Sequence, residues 1–406
     1  MQHSGPRRAM PAVSSAGGRS LAHDHTGSLL MSRTARTTSR TMWLATGAAA
    51  SMLVLAACGG SGSEGAASAL PSDSLNPDAD LKAQSLVVSN WASYMPEDLP
   101  TKFETAVGPQ VTVTNHATNE EIMAKLTAGG DSGIDVAFVS GQFAQALAEQ
   151  GLVEPIHADL VPNLKNLYPE ASQLSYDLGN KYSVPYAWGT TGICYRSDLV
   201  TTAPTSWGDI LNPAPEVTGK TTALATERWL MLPAQKLLGY SANTTNPDEM
   251  AKVKDQLLKT KPSLLAYDDT TFYSRLVSGE ASMVVAWDGW CNYGIAENKD
   301  IKFVVPKEGS DLWADTMVVL KTSKNKEAAH AFINYVLDAD NGAWVIDNIL
   351  YKVPNKAAMD KAAGALVATY PNMGMTPAEL LEGESLVDLG EFAPEYTKIA
   401  TEVAAG

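Results

Sequence analysis

The sequence predicts an α/β protein with mostly parallel sheets, because short apolar strands alternate with amphipathic helices and turn residues separate them. Composition sets the scale. With 406 residues, 45% hydrophobic and 18% charged, the chain is too apolar for disorder and long enough for two or three lobes, each with its own core. Residues 85–89 (SLVVS) read as a strand. Residues 98–107 are amphipathic and helical, closed by Gly108-Pro109. Residues 111–114 (VTVT) form a second strand. Asn119 can cap a helix running to 127, which Gly129-Gly130 ends. Residues 135–139 are a third strand and 142–150 a helix stopped by Gly151. Beyond them 181–195 is extended, with Pro185 and Gly192 as punctuation. Residues 221–225 form a short strand and 227–238 a helix. Strands follow at 283–287, where Asp288-Gly289 closes the run, at 301–305 and at 316–320. A strong helix occupies 326–337, and no internal repeat is visible.

The N-terminus indicates the compartment. Arg33, Arg36 and Arg40 precede the apolar stretch 42–57 (MWLATGAAASMLVLAA), which ends at Cys58. A basic flank before a short apolar core is a secretory signal, and its 16 residues are few for a membrane-spanning helix. Leu55-Ala56-Ala57-Cys58 resembles the bacterial lipobox, in which the cysteine is acylated and becomes the mature N-terminus. A plain signal peptide or a short buried helix is the alternative, and Gly59-Gly60-Ser61-Gly62-Ser63 cannot continue a helix. The expected division is a signal peptide over 1–57, then a lipidated Cys58 and a flexible Gly/Ser/Ala/Pro-rich tether over 58–84. Residues 1–30 fit no part of a signal. Translation from Met31 would give a signal of ordinary length, so 1–30 are expected to be untranslated. Multiple acyl chains on Cys58 would hold the body on the outer, periplasmic-side face of the cell membrane.

The formal net charge is −15. Six Arg and one Asp fall within 1–57, so the rest of the chain carries −20. That charge argues against nucleic acid as a partner and suits a cationic ligand, although acidity also serves solubility. In an oxidising compartment Cys194 and Cys291 either pair or remain two small buried thiols. Sequence does not give their distance, and the reading favours free thiols. There is no CxxC or HExxH, and His116, His157 and His330 are far apart, so neither a metal site nor a cofactor is expected. Residues 214–221 (APEVTGKT) approach a phosphate loop. Pro213 and Pro215, however, remove backbone donors, and the following TTAL favours a strand over the helix such a loop needs. Gly130-Asp131-Ser132-Gly133 looks like the surroundings of a protease serine, but its composition is that of a turn.

The unusual feature is aromatic residues beside acids at strand ends: Trp91 with Tyr94, Tyr186 with Trp188, Trp287-Asp288, Trp313 with Asp315, and Tyr351. Ends of parallel strands are where open α/β sheets bind ligands. Trp and Tyr walls with carboxylates suit an organic cation, since rings cover methylenes and attract ammonium.

The strings SNWASYMP, ATNEEIMAKL, YSVPYAWGTTGI, TSWGDILNP, LGYSANTTNP, VAWDG, VPKEGSDLWADT and LYKVPN, in that order, resemble the spermidine/putrescine-binding proteins of bacterial ABC importers over about 85–406. The resemblance implies a two-lobed periplasmic-binding-protein fold (type II). Lobe 1 would be 85–191 plus 315–353, lobe 2 would be 192–314 plus 354–406, and the ligand cleft would lie between them. It makes Trp91 and Tyr94 pocket residues of lobe 1 and Ser140 a pocket serine. Trp287 and Trp313 become aromatic walls, Tyr351 a pocket tyrosine, and Asp315 the main carboxylate for a ligand amine. The departures bear on the ligand. Gln142 stands for a second pocket tyrosine. Thr226 and Trp229 align with two family acids, Asp269 with a serine, Leu386 with a far-end glutamine, and Asp288 stands where Asn is usual. A ligand with two ammoniums needs a second acid, which Glu227, Asp269 or Asp288 would supply. The implied function is non-enzymatic: a monomeric lipoprotein capturing a polyamine (spermidine- or putrescine-like) for an ABC permease. The alternative is another organic cation or a zwitterion, such as an amino acid, betaine or opine.

Overall fold

In residues 75–405, which the computed structural model describes, eleven strands form two sheets. In chain order they are β1 (Ser85–Asn90), β2 (Gln110–Asn115), β3 (Val136–Ser140), β4 (Val184–Gly189), β5 (Thr191–Arg196), β6 (Thr221–Ala223), β7 (Ala266–Tyr267), β8 (Met283–Trp287), β9 (Ile301–Val304), β10 (Asp311–Val319) and β11 (Glu384–Ser385). The first sheet runs β2-β1-β3-β10-β4, with β11 beside the first two residues of β10. The second runs β7-β6-β8-β5-β9. In each, three parallel strands are followed by one antiparallel strand and then an edge strand. The antiparallel strand of each sheet lies across a chain crossing: β5 directly follows β4 of the first sheet, and β10 follows β9 of the second. The two sheets therefore share one order although the sequence shows no repeat. Strand order is a property of backbone pairing, which many side-chain sets satisfy.

The crossings are tied to one another. Thr191 N–H donates to Asp311 Oδ1 (2.8 Å) and the Thr190 hydroxyl to the Asp311 carbonyl (2.8 Å). The Ser310 hydroxyl donates to the Thr191 carbonyl (2.6 Å). Asp311 is fully buried, and such a carboxylate persists only because donors replace its water.

Most strand and helix expectations hold to within a few residues, and the differences have local causes. Thr118 rather than Asn119 caps the second helix, its hydroxyl accepting from Glu121 N–H (3.1 Å). Strand β8 ends at Trp287 as expected, and Asp288-Gly289 then begins the helix Asp288–Glu297 with no intervening turn. The glycine is required there because a Cβ would collide with the Tyr351 ring. Strand β6 does begin at Thr221, so no helix follows the phosphate-loop look-alike. At 130–133 the Asp131 carboxylate accepts from Gly133 N–H (2.9 Å), and both Gly130 and Gly133 have positive φ, which makes a turn.

Three expectations are corrected. Cys194 and Cys291 form a disulfide, with Cα atoms 5.9 Å apart. β8 pairs with β5, and the helix after β8 folds back over β5, bringing two distant cysteines together. The tether was expected to reach Gln84, but Asn76 N–H donates to Glu327 (3.2 Å) and Ala328 N–H to the Gln84 side chain (3.0 Å). Residues 76–84 thus dock on the helix Lys326–Val336. Residues 354–406 were expected in lobe 2. The helix Lys356–Thr369 instead packs on the helix Ala339–Ile349, whereas the helix Ala393–Ala405 packs on the helix Glu227–Leu237 beside the second sheet, where Glu384 also pairs with Lys236 and the Val387 carbonyl accepts from Arg228. The signal peptide, Met31 and Cys58 lie outside the described residues.

Candidate functional site

Asp315 sits in mid-β10, opposite Ser140 of β3 and Ala187 of β4, with a bulge after it on the β4 side. A bulge twists a strand and re-aims its side chains, so such irregularities gather at functional sites. The carboxylate accepts the Ser140 hydroxyl at Oδ1 (2.7 Å) and the Tyr94 hydroxyl at Oδ2 (2.8 Å). Ser140 is itself clamped by Asn119. Its N–H donates to Asn119 Oδ1 (3.0 Å), and Asn119 Nδ2 donates to its hydroxyl oxygen (3.1 Å). That second bond occupies the oxygen, so the hydroxyl proton is left to point at Asp315.

Tyr94 is fixed from behind. The Tyr186 hydroxyl donates to its carbonyl (2.8 Å), and the two rings meet edge to face at 5.5 Å. Its ring also meets Trp91 (5.6 Å) and Tyr351 (5.3 Å) edge to face, and Tyr351 meets Trp313 (5.6 Å). Four aromatic side chains thus run in a linked row past one carboxylate. Edge-to-face pairs contribute about 0.5–1.5 kcal/mol each beyond burial, enough to hold rings in place before a ligand arrives. His116, edge-on to Trp91, is kept neutral because burial pushes its pKa down to about 4.

Both oxygens of Asp315 accept from neutral hydroxyls, which orient the charge without cancelling it. Burial pushes its pKa up to about 6, against the pull of the Ser140 and Tyr94 hydrogen bonds. The sign for binding follows. A cation needs the ionised carboxylate, so affinity is full above the folded pKa and falls as pH drops through it. Calorimetric titration of a bound amine is expected to give a dissociation constant about tenfold weaker at pH 5 than at pH 7.5. A profile flat across that interval would remove Asp315 from the site.

The other expected residues occupy the second sheet or its border. Trp287 ends β8, with Trp229 edge-on to its ring at 5.4 Å, and Trp229 donates its indole N–H to Asp311 (2.7 Å). Asp269 follows β7 and accepts from Ala225 N–H (2.7 Å) and the Thr226 hydroxyl (2.9 Å). Burial raises its pKa. Glu227 opens the helix after β6 and accepts the Thr397 hydroxyl (3.1 Å). Burial and the charge of Glu120 raise its pKa. Asp269, Glu227 and Trp287 therefore lie past the C-terminal ends of three neighbouring parallel strands, the ligand edge of such sheets. Asp288 is buried and ion-paired with Lys352.

Lys352, Asn119 and the Asp311–Trp229 pair were not picked out from the sequence. A signal existed for Lys352, a lone charge between Tyr351 and Val353-Pro354. Asn119 reads as a helix cap, but Thr118 holds that place and Asn119 clamps Ser140.

Residues 99–374 match the family of bacterial extracellular solute-binding proteins. The chain is 30% identical over 318 residues to the spermidine/putrescine-binding periplasmic protein of Salmonella typhimurium, covering 78% of this chain and 90% of that protein. Among solved structures it resembles the TpPotD lipoprotein of Treponema pallidum, with a TM-score of 0.71 at 26% identity. It also resembles the spermidine/putrescine ABC transporter substrate-binding protein PotD of Streptococcus pneumoniae, with a TM-score of 0.69 at 28% identity. Each structural likeness covers 79% of this chain and 99% of the other.

Proposed function

The chain belongs to the bacterial extracellular solute-binding protein family, and on that footing we propose that it captures a polyamine for uptake through an ABC permease. Its fold is the two-lobed α/β fold of type II periplasmic binding proteins, and its activity is binding without bond chemistry. The observation that carries the ligand reading is Asp315: an anion held by two hydroxyls and flanked by Trp91, Tyr94, Tyr351 and Trp313. One ammonium binds there and the rings cover the methylenes. On this reading Asp269 or Glu227 meets the other end. A second reading, a ligand with a single cationic group, is favoured by Trp229 standing where a family acid would be and by the pairing of Asp288 with Lys352. The protein works as a monomer anchored through acylated Cys58, with a signal that starts at Met31 and ends at residue 57.

Thermal melting of the purified protein with putrescine, cadaverine, spermidine, agmatine, betaine and several amino acids tests the reading. Ligand at about a hundred times its dissociation constant adds roughly 2.7 kcal/mol, which raises the midpoint by several degrees. Shifts with di- and triamines alone are expected. Shifts with zwitterions or monocations only would replace the first reading by the second.

A further inference from the structure

We propose that Lys352 is a specificity-determining residue: its ammonium occupies the Asp288 carboxylate beside the Trp313 wall and so denies that end of the cage to a second ligand cation. This rests on the polyamine reading of the same site. Both side chains are only 2% exposed, and a Cβ on Gly189 would collide with both Asp288 Oδ1 and the Trp313 ring, which places carboxylate and wall in contact. Asp288 would otherwise be well suited to an ammonium. It is the first residue of the helix Asp288–Glu297, where the helix dipole favours an anion. Lys352 also donates to the Asn372 carbonyl (3.2 Å), and Asn372 Nδ2 donates to the Asp288 carbonyl (2.9 Å), which closes a ring of three residues. A ligand reaching this end meets a neutral pair with the protein's own cation already seated.

The pair is not what holds the segment in place. Asn292 Nδ2 donates to the Leu350 carbonyl (2.7 Å), the Tyr293 hydroxyl to the Ile349 carbonyl (2.8 Å), and Trp188 N–H to the Lys352 carbonyl (3.1 Å). Lys352→Met therefore keeps the backbone anchored and leaves Asp288 open to a ligand ammonium.

The test is calorimetric titration of wild type, Lys352→Met and Asp288→Asn/Lys352→Met with putrescine and spermidine. The ratio of the two dissociation constants is expected to move about tenfold toward spermidine in Lys352→Met, equal to 1.4 kcal/mol. In the double variant, where no carboxylate remains to be filled, it is expected to return to within threefold of wild type. An unchanged ratio in Lys352→Met, with wild type binding either amine, overturns the role of Lys352 alone. Wild type binding neither amine overturns the polyamine reading and this inference with it. If Lys352→Met fails to fold, the double variant still decides: a tenfold change in its ratio contradicts a site that is neutral at this end in both proteins.

Discussion

Asp315→Asn is expected to weaken binding of a di- or triamine by about two to three orders of magnitude while leaving the unliganded protein at least as stable. Removing one partner of a buried, hydrogen-bonded charge pair costs about 2–5 kcal/mol, and each 1.4 kcal/mol is tenfold. Asn keeps the shape and one acceptor oxygen, which the Ser140 hydroxyl uses, while its Nδ2 donates, so the Tyr94 hydroxyl must turn from donating to accepting as the charge is lost. The stability sign is opposite to that of a salt-bridged acid. The folded pKa of about 6 lies above that of an unfolded aspartate, so the folded chain binds the proton more tightly. Above pH 6 the ionised carboxylate therefore subtracts from stability, and the deficit is relieved as pH falls below that value. The neutral variant escapes it. Calorimetry and melting at pH 7.5 check both halves. A dissociation constant within fivefold of wild type would show that Asp315 is not the anchor.

Replacing both cysteines, Cys194→Ala/Cys291→Ala, is expected to cost about 3–5 kcal/mol of stability. The bond joins residues 97 apart in sequence, and closing a loop near a hundred residues constrains the unfolded chain by nearly 5 kcal/mol in the chain-entropy view. For a body of this size the midpoint should fall on the order of 5–10 °C. Both cysteines are fully buried, so a small cavity term adds to the loss. A melting temperature unchanged by the double substitution would mean that the bond constrains little in the unfolded chain.

What the sequence made legible and what it did not divide along physical lines. Helices such as 326–337 carry their own signal, because a period of 3.6 residues states which face is buried, and strands such as 283–287 stand out as short apolar runs bounded by turn residues. The aromatic and acidic strand ends were legible for the same reason: rare residues at turn positions stand out. Contacts between distant segments were not. Cys194 and Cys291 meet only because β8 pairs with β5, and Asp288 meets Lys352 only because the Ile349–Lys352 stretch folds onto the helix that Asp288 begins. Gly289 illustrates the limit in one residue. Beside Asp288 it has the composition of a turn, yet it sits inside a helix because the Tyr351 ring needs the space of a missing Cβ. The charge on Asp288 was visible in the sequence, but its partner was not, and the partner decides whether that charge is available to a ligand.

The central claim is that an amine is seated on Asp315 within the aromatic row. A crystal structure of the protein saturated with putrescine tests it most directly. The account predicts an ammonium nitrogen about 2.8 Å from an Asp315 carboxylate oxygen, with the methylenes against Trp313 and Tyr351. Putrescine bound elsewhere, or bound in the cleft with no nitrogen at Asp315, would contradict it.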